Sequence, residues 1–260
     1  MTDLTDLGIS IIVKGSRKIR RANHVNPPIS DGAEYLNFFC NHPNENKSNI
    51  SRNLIYGKEN GFVIGAPVQN DITATFKSGV NFIDTGVKHT PNMTFITVSI
   101  APTPKAESVL MSNATSQWQD GAGTTLGIGL MYRPDKLYFN TAVSDTSGGH
   151  PLLQANVNYN PGEMRIAVGR SDPSAGRIFL YESSGIVSGS ATVPAGATFD
   201  IGETIRVGSL GSGGIGSVNG TTSEIAAAIA YSRNLTNDEV LTMVAWLRNV
   251  FQYQFAVTLP

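Results

Sequence analysis

The run VGSLGSGGIGSVNGTTSEIAAAIAY, Val207 to Tyr231, decides the fold. Inside it GSGGIG, Gly211 to Gly216, fits the G-x-G-x-x-G template of dinucleotide-binding proteins. That template works because a glycine turn joins a strand directly to a helix, whose amino terminus then holds the pyrophosphate. The preceding ETIRVGSL (203–210) supplies a strand. No helix follows directly: SVNG and TTS intervene, with Asn219-Gly220 a strong turn signal, before EIAAAIAY begins. Fewer than fifty residues remain after Gly216, too few to build the rest of a doubly wound sheet. The run therefore predicts a turn-rich loop between two strands, and an all-β chain rather than an α/β enzyme. EIAAAIAY alone reads either way. Alanine favours helix. As a strand it places Ile225, Ala227, Ile229 and Tyr231 on one face and small alanines on the other.

Composition points the same way. Of 260 residues 40% are hydrophobic and only 15% charged, with 27 glycines and 13 prolines, which suits short strands and many turns. A net charge of −1 gives no general attraction to nucleic acid or to an anionic membrane. The single cysteine, Cys40, excludes an internal disulfide and a cysteine zinc site. The opening MTDLTDLGISIIVKGS is acidic where a secretory signal is basic, and no apolar run reaches the ~20 residues of a membrane span.

Period-two alternation marks the strands. TFITVSI (94–100) sets Ile96, Val98 and Ile100 on one face. TLGIGLMY (125–132) sets Leu126, Ile128, Leu130 and Tyr132 opposite Gly127 and Gly129. RPDK (133–136) turns the chain into LYFN, and SDPSAG (171–176) separates EMRIAVGR from RIFLYES. Turns about every ten residues predict an antiparallel sandwich or barrel. TNDEVLTMVAWLRNVF (236–251) predicts one amphipathic helix near 237–251. Thr236 and Glu239 form its capping box, and Val240, Val244, Leu247 and Phe251 form its apolar stripe.

Residues 1–53 read differently, as an extended arm for assembly contacts, with the sandwich taking 54–260. The arm carries Lys14, Arg17, Lys18, Arg20 and Arg21 within eight residues, a cluster suited to an acidic neighbour or to a solvated surface. EYLNFFC (34–40) is a short aromatic stretch within it.

The span from about 54 to 251 resembles the concanavalin A-like lectin/glucanase domains of the laminin-G-like type. RIAVGR, RIFLYESSGIVSG, IRVGSL, the glycine-rich loop and above all IAYSRNLTNDEVLTMVAWL (229–247) carry the resemblance, with GVNFIDTGVKHTPNMTFITVSI (79–100) as entry strands. It implies two antiparallel sheets in a jelly roll and makes EIAAAIAY a strand. Domains of this kind resemble those of bacteriophage particles.

Glucanase members of that family carry paired carboxylates on one strand. Here Glu163 and Glu182 stand singly, no E-x-D-x-E pattern occurs, and Ser184 lacks a G-x-S-x-G elbow, so no catalytic residue is expected. His24, His42, His89 and His150 lack metal-ligand spacing, and Asp120, Asp135 and Asp145 are scattered, so neither metal nor cofactor is expected. Sugar binding needs an exposed aromatic with amides and carboxylates beside it. SQWQDG supplies Trp118 beside Gln117, Gln119 and Asp120. Partial burial of Trp118 in packing is the competing reading. The expected function is a non-enzymatic virion structural protein, made in the host cytoplasm: a tail, fibre or capsid-surface component. Its partners would be other virion subunits, copies of itself and cell-surface polysaccharide. A free carbohydrate-binding lectin is the alternative, and a polysaccharide hydrolase ranks behind both.

Overall fold

Two antiparallel sheets stack face to face, and one helix closes the outside of the first. The computed structural model describes residues 26–39, 50–116, 125–183, 185–212 and 218–260. In chain order the strands are β1 (Ala33–Phe38), β2 (Phe62–Ile64), β3 (Val68–Gln69), β4 (Ala74–Lys77), β5 (Phe82–Lys88), β6 (Thr94–Ile100), β7 (Ser108–Ser112), β8 (Thr115–Ser116) and β9 (Thr125–Leu126). They continue as β10 (Ile128–Tyr132), β11 (Leu137–Ser144), β12 (Leu152–Val157), β13 (Met164–Asp172), β14 (Arg177–Tyr181), β15 (Val187–Thr192), β16 (Thr198–Phe199), β17 (Thr204–Val207) and β18 (Thr222–Tyr231); the helix α1 spans Asn237–Phe255.

The first sheet runs β15-β14-β13-β6-β18-β4-β3, with β1 also paired to β18. The second runs β12-β11-β10-β7-β17-β5-β2, with β16 on β11, so each sheet has eight strands. β8 and β9 form a separate two-stranded ribbon. EIAAAIAY is a strand, paired with β6 from Glu224↔Ile100 to Tyr231↔Thr94. RPDK is a tight hairpin turn closed by Arg133 N–H donating to Lys136 O at 2.8 Å.

Between the sheets lie Phe76, Phe95, Ile128, Leu130, Tyr132 and Phe139, all buried. Phe95 meets Phe139 edge-on, ring centroids 6.2 Å apart. α1 lays Val240, Met243, Val244, Leu247 and Phe251 against Ile96, Val98, Ile166, Ile229 and Tyr231 on the outer face of the first sheet. Each such large apolar side chain taken from water contributes about 1.5–3 kcal/mol. The capping box is present: Glu239 N–H donates to Thr236 Oγ1 at 3.2 Å, and Thr236 N–H to Glu239 Oε2 at 2.8 Å.

Two expectations are corrected. The alternating apolar residues of β6, Ile96 and Val98, face the helix, while Phe95, Thr97 and Ser99 face the second sheet, so both faces are buried. Because one layer covers each side, period two reports two cores here rather than a wet and a dry face. In β18 a bulge between Ile225 and Ala227 turns Ile225 into the inter-sheet core, away from Ala227, Ile229 and Tyr231.

The aromatic stretch expected in the arm is also structural. β1 pairs with β18 from Ala33↔Tyr231 to Phe38↔Ala227. Tyr35 and Phe39 enter the inter-sheet core, and Leu36 packs under α1. Its long apolar side chains have somewhere to go only if the strand is inside. The basic residues Lys14, Arg17, Lys18, Arg20 and Arg21, and Cys40, lie outside the described residues.

Candidate functional site

The glycine-rich run starts from β17 in the second sheet and ends in β18 of the first, so it joins two strands, with no helix among its described residues. Gly208 has φ +78°, and a Cβ there would fall 2.2 Å from Phe76 Cβ, so only glycine fits. Leu210 and Val218, on either side of the run, pack on Val109, Met131 and Tyr138. Val109, Met131 and Tyr138 are register partners on the face of the second sheet opposite the inter-sheet core. Val218–Gly220 then turns into β18, with Gly220 at φ +83°. A phosphate cradle has no helix terminus to stand on here. Residues 213–217 lie outside the described residues.

The same place receives the root of the hairpin that carries the predicted sugar contacts. Gln117, Trp118, Gln119 and Asp120 themselves lie outside the described residues; their mount, β7-β8 and β9-β10, is described. Asn113 holds it: its Oδ1 accepts from Ile128 N–H at 2.9 Å, and its Nδ2 donates to Glu203 O. Gly127, at φ +92°, leaves room for Asn113, since a Cβ would lie 2.6 Å from Asn113 Oδ1. Gly211 N–H donates to Ala114 O at 3.0 Å, which fastens the glycine run to the hairpin. Arg206 fixes the start of that run, donating to Leu210 O at 3.1 Å and to Glu203 Oε2 at 2.9 Å. The Ser212 hydroxyl, then desolvation working against it, sets the Glu203 carboxyl; the hydroxyl wins and holds it below its usual range.

On the hairpin's other side Gly127 N–H donates to Asp200 O at 3.0 Å. Asp200 belongs to a cluster with Ser144 and His150. His150 Nδ1 lies 3.1 Å from Asp200 Oδ2 and 3.0 Å from Ser144 Oγ, and Ser144 Oγ donates to Asp200 Oδ1. Serine and aspartate thus share one imidazole nitrogen. A hydrolytic triad needs them on opposite nitrogens, so that the ring relays the serine's proton. The cluster offers hydrogen-bonding groups to a polyol but no activated nucleophile. Beside it the Asp145 carboxyl accepts from the Ser147 hydroxyl at 2.6 Å and from Gly149 N–H at 2.8 Å, which lowers its pKa. His89 buttresses the neighbouring turn: Gly202 N–H donates to its Nδ1 at 2.9 Å. Burial alone lowers its pKa to about 4.

Glu163 and Glu182 are brought together, but elsewhere. Strand polarity puts them at the end of the sandwich opposite the hairpin. Both carboxylates reach Arg165 Nη2, at 3.7 and 3.3 Å. A guanidinium between them neutralises the pair as a structural ion cluster. Among the described residues no group of three or more potential ligands could hold a metal ion. No helix there is long and apolar enough to cross a membrane. The sequence carries no sign of the residues that mount this hairpin. Asn113, the Ser144–His150 pair and Asp200 come from three separate parts of the chain and meet only in the fold.

These features define a two-sheet antiparallel β-sandwich with a polar, loop-bearing end. No family model matches the sequence, and no curated protein does either. Solved structures do match in fold. The botulinum neurotoxin serotype D binding domain has a TM-score of 0.55 at 17% identity, over 85% of this chain and 53% of that one. The serotype D ligand-binding domain in complex with N-acetylneuraminic acid gives 0.55 at 16%, over 85% and 52%. Trypanosoma rangeli sialidase in complex with 2,3-difluorosialic acid gives 0.54 at 16%, over 92% and 37%. The chain thus spans about half the length of the toxin domains it matches, and such low identities establish the fold alone.

Proposed function

We propose that the chain is a non-enzymatic structural protein of a virion, a tail, fibre or capsid-surface component. Its lectin-like sandwich serves assembly and attachment to host-surface glycan, with the hairpin tip Gln117–Asp120 as the sugar contact. The observation that carries the recognition role is the mounting of that hairpin. Asn113 and Gly211 bolt it to one end of the sandwich, beside Ser144, His150 and Asp200, whose hydroxyl, imidazole and carboxylate suit a sugar's hydroxyls. The resemblance to laminin-G-like domains of phage particles, together with the basic cluster Lys14–Arg21, supports assembly with copies of itself and with other virion subunits. The sharing of one imidazole nitrogen by Ser144 and Asp200, and the tying of Glu163 and Glu182 to Arg165, support binding over hydrolysis. The sialic-acid complex of a toxin domain sharing the fold favours the second reading, a free lectin.

A glycan array on the full chain and on Trp118→Ala tests the recognition role. At least one glycan bound by the full chain and lost by the variant is expected; no binding, or an identical glycan profile for both, overturns it. Deletion of residues 1–25 tests assembly. It leaves β1 intact, whereas a cut at residue 50 would remove a strand of the first sheet. Loss of incorporation into particles with the fold kept is expected. A truncated chain that binds sugar and was never particle-associated selects the free lectin.

A further inference from the structure

A second place in the molecule has the chemistry of a sugar site, away from the hairpin. Beside the start of β1, a cleft of about 340 Å³ lies between residues 26–34 and the turn at 55–58. Small-ligand pockets begin at about 300 Å³, so one or two sugar rings fill it. Tyr56 stands at this cleft with 76% of its surface exposed, more than any other large apolar or aromatic side chain among the described residues. An exposed ring beside a concavity is informative where a scattered one is not. Around it are Asn26, Ser30, Asp31, Glu34 and Lys58: an amide, a hydroxyl, two carboxylates and an ammonium.

The walls are held in place before any ligand arrives. Asn53 ties them together: its Nδ2 donates to Glu34 O at 2.8 Å, and its Oδ1 accepts from Leu36 N–H and Ile55 N–H at 3.2 and 3.1 Å. Gly32, at φ +70°, packs against Arg233, where a Cβ would fall 2.8 Å from Cγ. The charges cancel in pairs. Lys58 Nζ meets Glu34 Oε2 at 2.5 Å, and Arg233 Nε meets Asp31 Oδ2 at 3.0 Å. Asp31 still shows 89% of its side chain to water, so its carboxylate retains acceptor capacity.

We infer that this cleft binds a neutral saccharide, with one pyranose ring stacked on Tyr56 and its hydroxyls shared among Asp31, Ser30 and Asn26. The apolar C–H face of a pyranose suits the phenol ring, and the lining offers sugar hydroxyls both donors and acceptors. The paired charges decide between sugar classes. An anionic sugar would meet Asp31 and Glu34, and among the described lining residues the one cation, Lys58, is already paired with Glu34. The inference extends the carbohydrate reading to a new site and stands separately from the hairpin.

The test uses the full chain, with maltotriose, cellotriose and mannotriose as neutral probes and sialyllactose as the anionic one. Saturation-transfer NMR and titration calorimetry read binding; the Tyr56 ring resonances of the unmodified chain report directly on the cleft. Binding of at least one neutral probe is expected, with a shift of those resonances. Tyr56→Ala should weaken it about tenfold or more, and Tyr56→Phe should keep most of it. Circular dichroism and the unfolding midpoint of Tyr56→Ala check that it folds, and Tyr56→Phe, which keeps the ring, carries the comparison if that midpoint falls. Three results overturn the inference: no neutral probe binds, Tyr56→Ala binds as well as the unmodified chain, or sialyllactose alone binds. Sensitivity to Trp118→Ala but not Tyr56→Ala keeps the hairpin reading and removes this one; the reverse does the opposite.

Discussion

Arg233 grips Glu239 through two parallel hydrogen bonds, Nη2 to Oε1 at 2.7 Å and Nη1 to Oε2 at 2.9 Å. Glu239 is also the reciprocal partner of the Thr236 cap, and Arg233 also holds Asp31 at the cleft. One ion pair therefore joins the start of α1 to the end of β18 and to the segment before β1. Held first by Arg233 and then by the Thr236 amide and hydroxyl, the Glu239 carboxyl drops to about 2.

Glu239→Gln should cost about 1–2 kcal/mol, the scale of a lost cap and a partly screened pair. In a chain of this size the melting midpoint should fall by about 2–8 °C. A depressed carboxylate stabilises fully above its unfolded pKa and loses that contribution as pH falls through its folded one. The gap between the unmodified chain and the variant should therefore be full above about pH 4.5 and shrink toward about pH 2. Urea unfolding at pH 7 and pH 3 reads it. A gap that does not shrink contradicts the pairing.

His89 acts in a different pH window. Its Nδ1 accepts from Gly202 N–H, so the ring's hydrogen is on Nε2, which is buried without a partner among the described residues. Protonation would set two donors face to face. The folded pKa lies near 4, below the ordinary 6.5, so the unfolded chain takes up the proton first. Stability should fall as pH drops from about 6.5 to about 4 and then level off, by up to about 3 kcal/mol. Gly202 lies against Asn113 and Gly127, so the hairpin root should loosen in the same window. His89→Gln should flatten the unfolding profile there; a variant that keeps the slope assigns it to another group.

What the sequence showed depended on locality. The capping box, the RPDK hairpin and the Asn219-Gly220 turn are each fixed by residues within a few positions, and each is found as read. β1 escaped notice because both of its faces are buried and its partner is β18, almost two hundred positions away. Tyr35 and Phe39 go inward and Leu36 outward under α1, so Glu34–Phe39 shows no wet face to betray a period of two. The candidate site suffered in the same way. Asn113, Gly127, Asp200 and Gly211 meet only after the two layers have stacked.

Gly169 sets how closely those layers approach. It lies on β13 directly over Phe139 of β11, and a Cβ there would fall 2.0 Å from the ring's Cδ2. The ring has no room to retreat, because Phe95 meets it edge-on. Gly169→Ala should destabilise by about 1–3 kcal/mol, the usual scale of overpacking. Adding Phe139→Leu should recover part of that loss, since the two residues share one space. Denaturant unfolding of both single variants and the double one measures the coupling, and simple additivity would contradict the contact.

The Arg165 cluster decides between a structural and a catalytic role for Glu163 and Glu182. Arg165 exposes only 7% of its side chain, and its Nε and Nη1 have no hydrogen-bond partner among the described residues. Glu182, at 3.3 Å, is the nearer counter-charge and the less exposed of the two glutamates. Removing one partner of a buried pair strands the other, which costs about 3–5 kcal/mol when no second partner remains. With Glu163 still at 3.7 Å, Glu182→Gln should cost about 2–3 kcal/mol, and Glu163→Gln clearly less. Arg165→Met removes the one cation between two carboxylates and leaves both without it, so it should also be destabilising. Unfolding midpoints should therefore rank the unmodified chain first, then Glu163→Gln, then Glu182→Gln and Arg165→Met, with no polysaccharide hydrolysed by any of them. A hydrolytic role predicts the opposite: activity in the unmodified chain that both glutamate variants abolish, and stability that neither reduces.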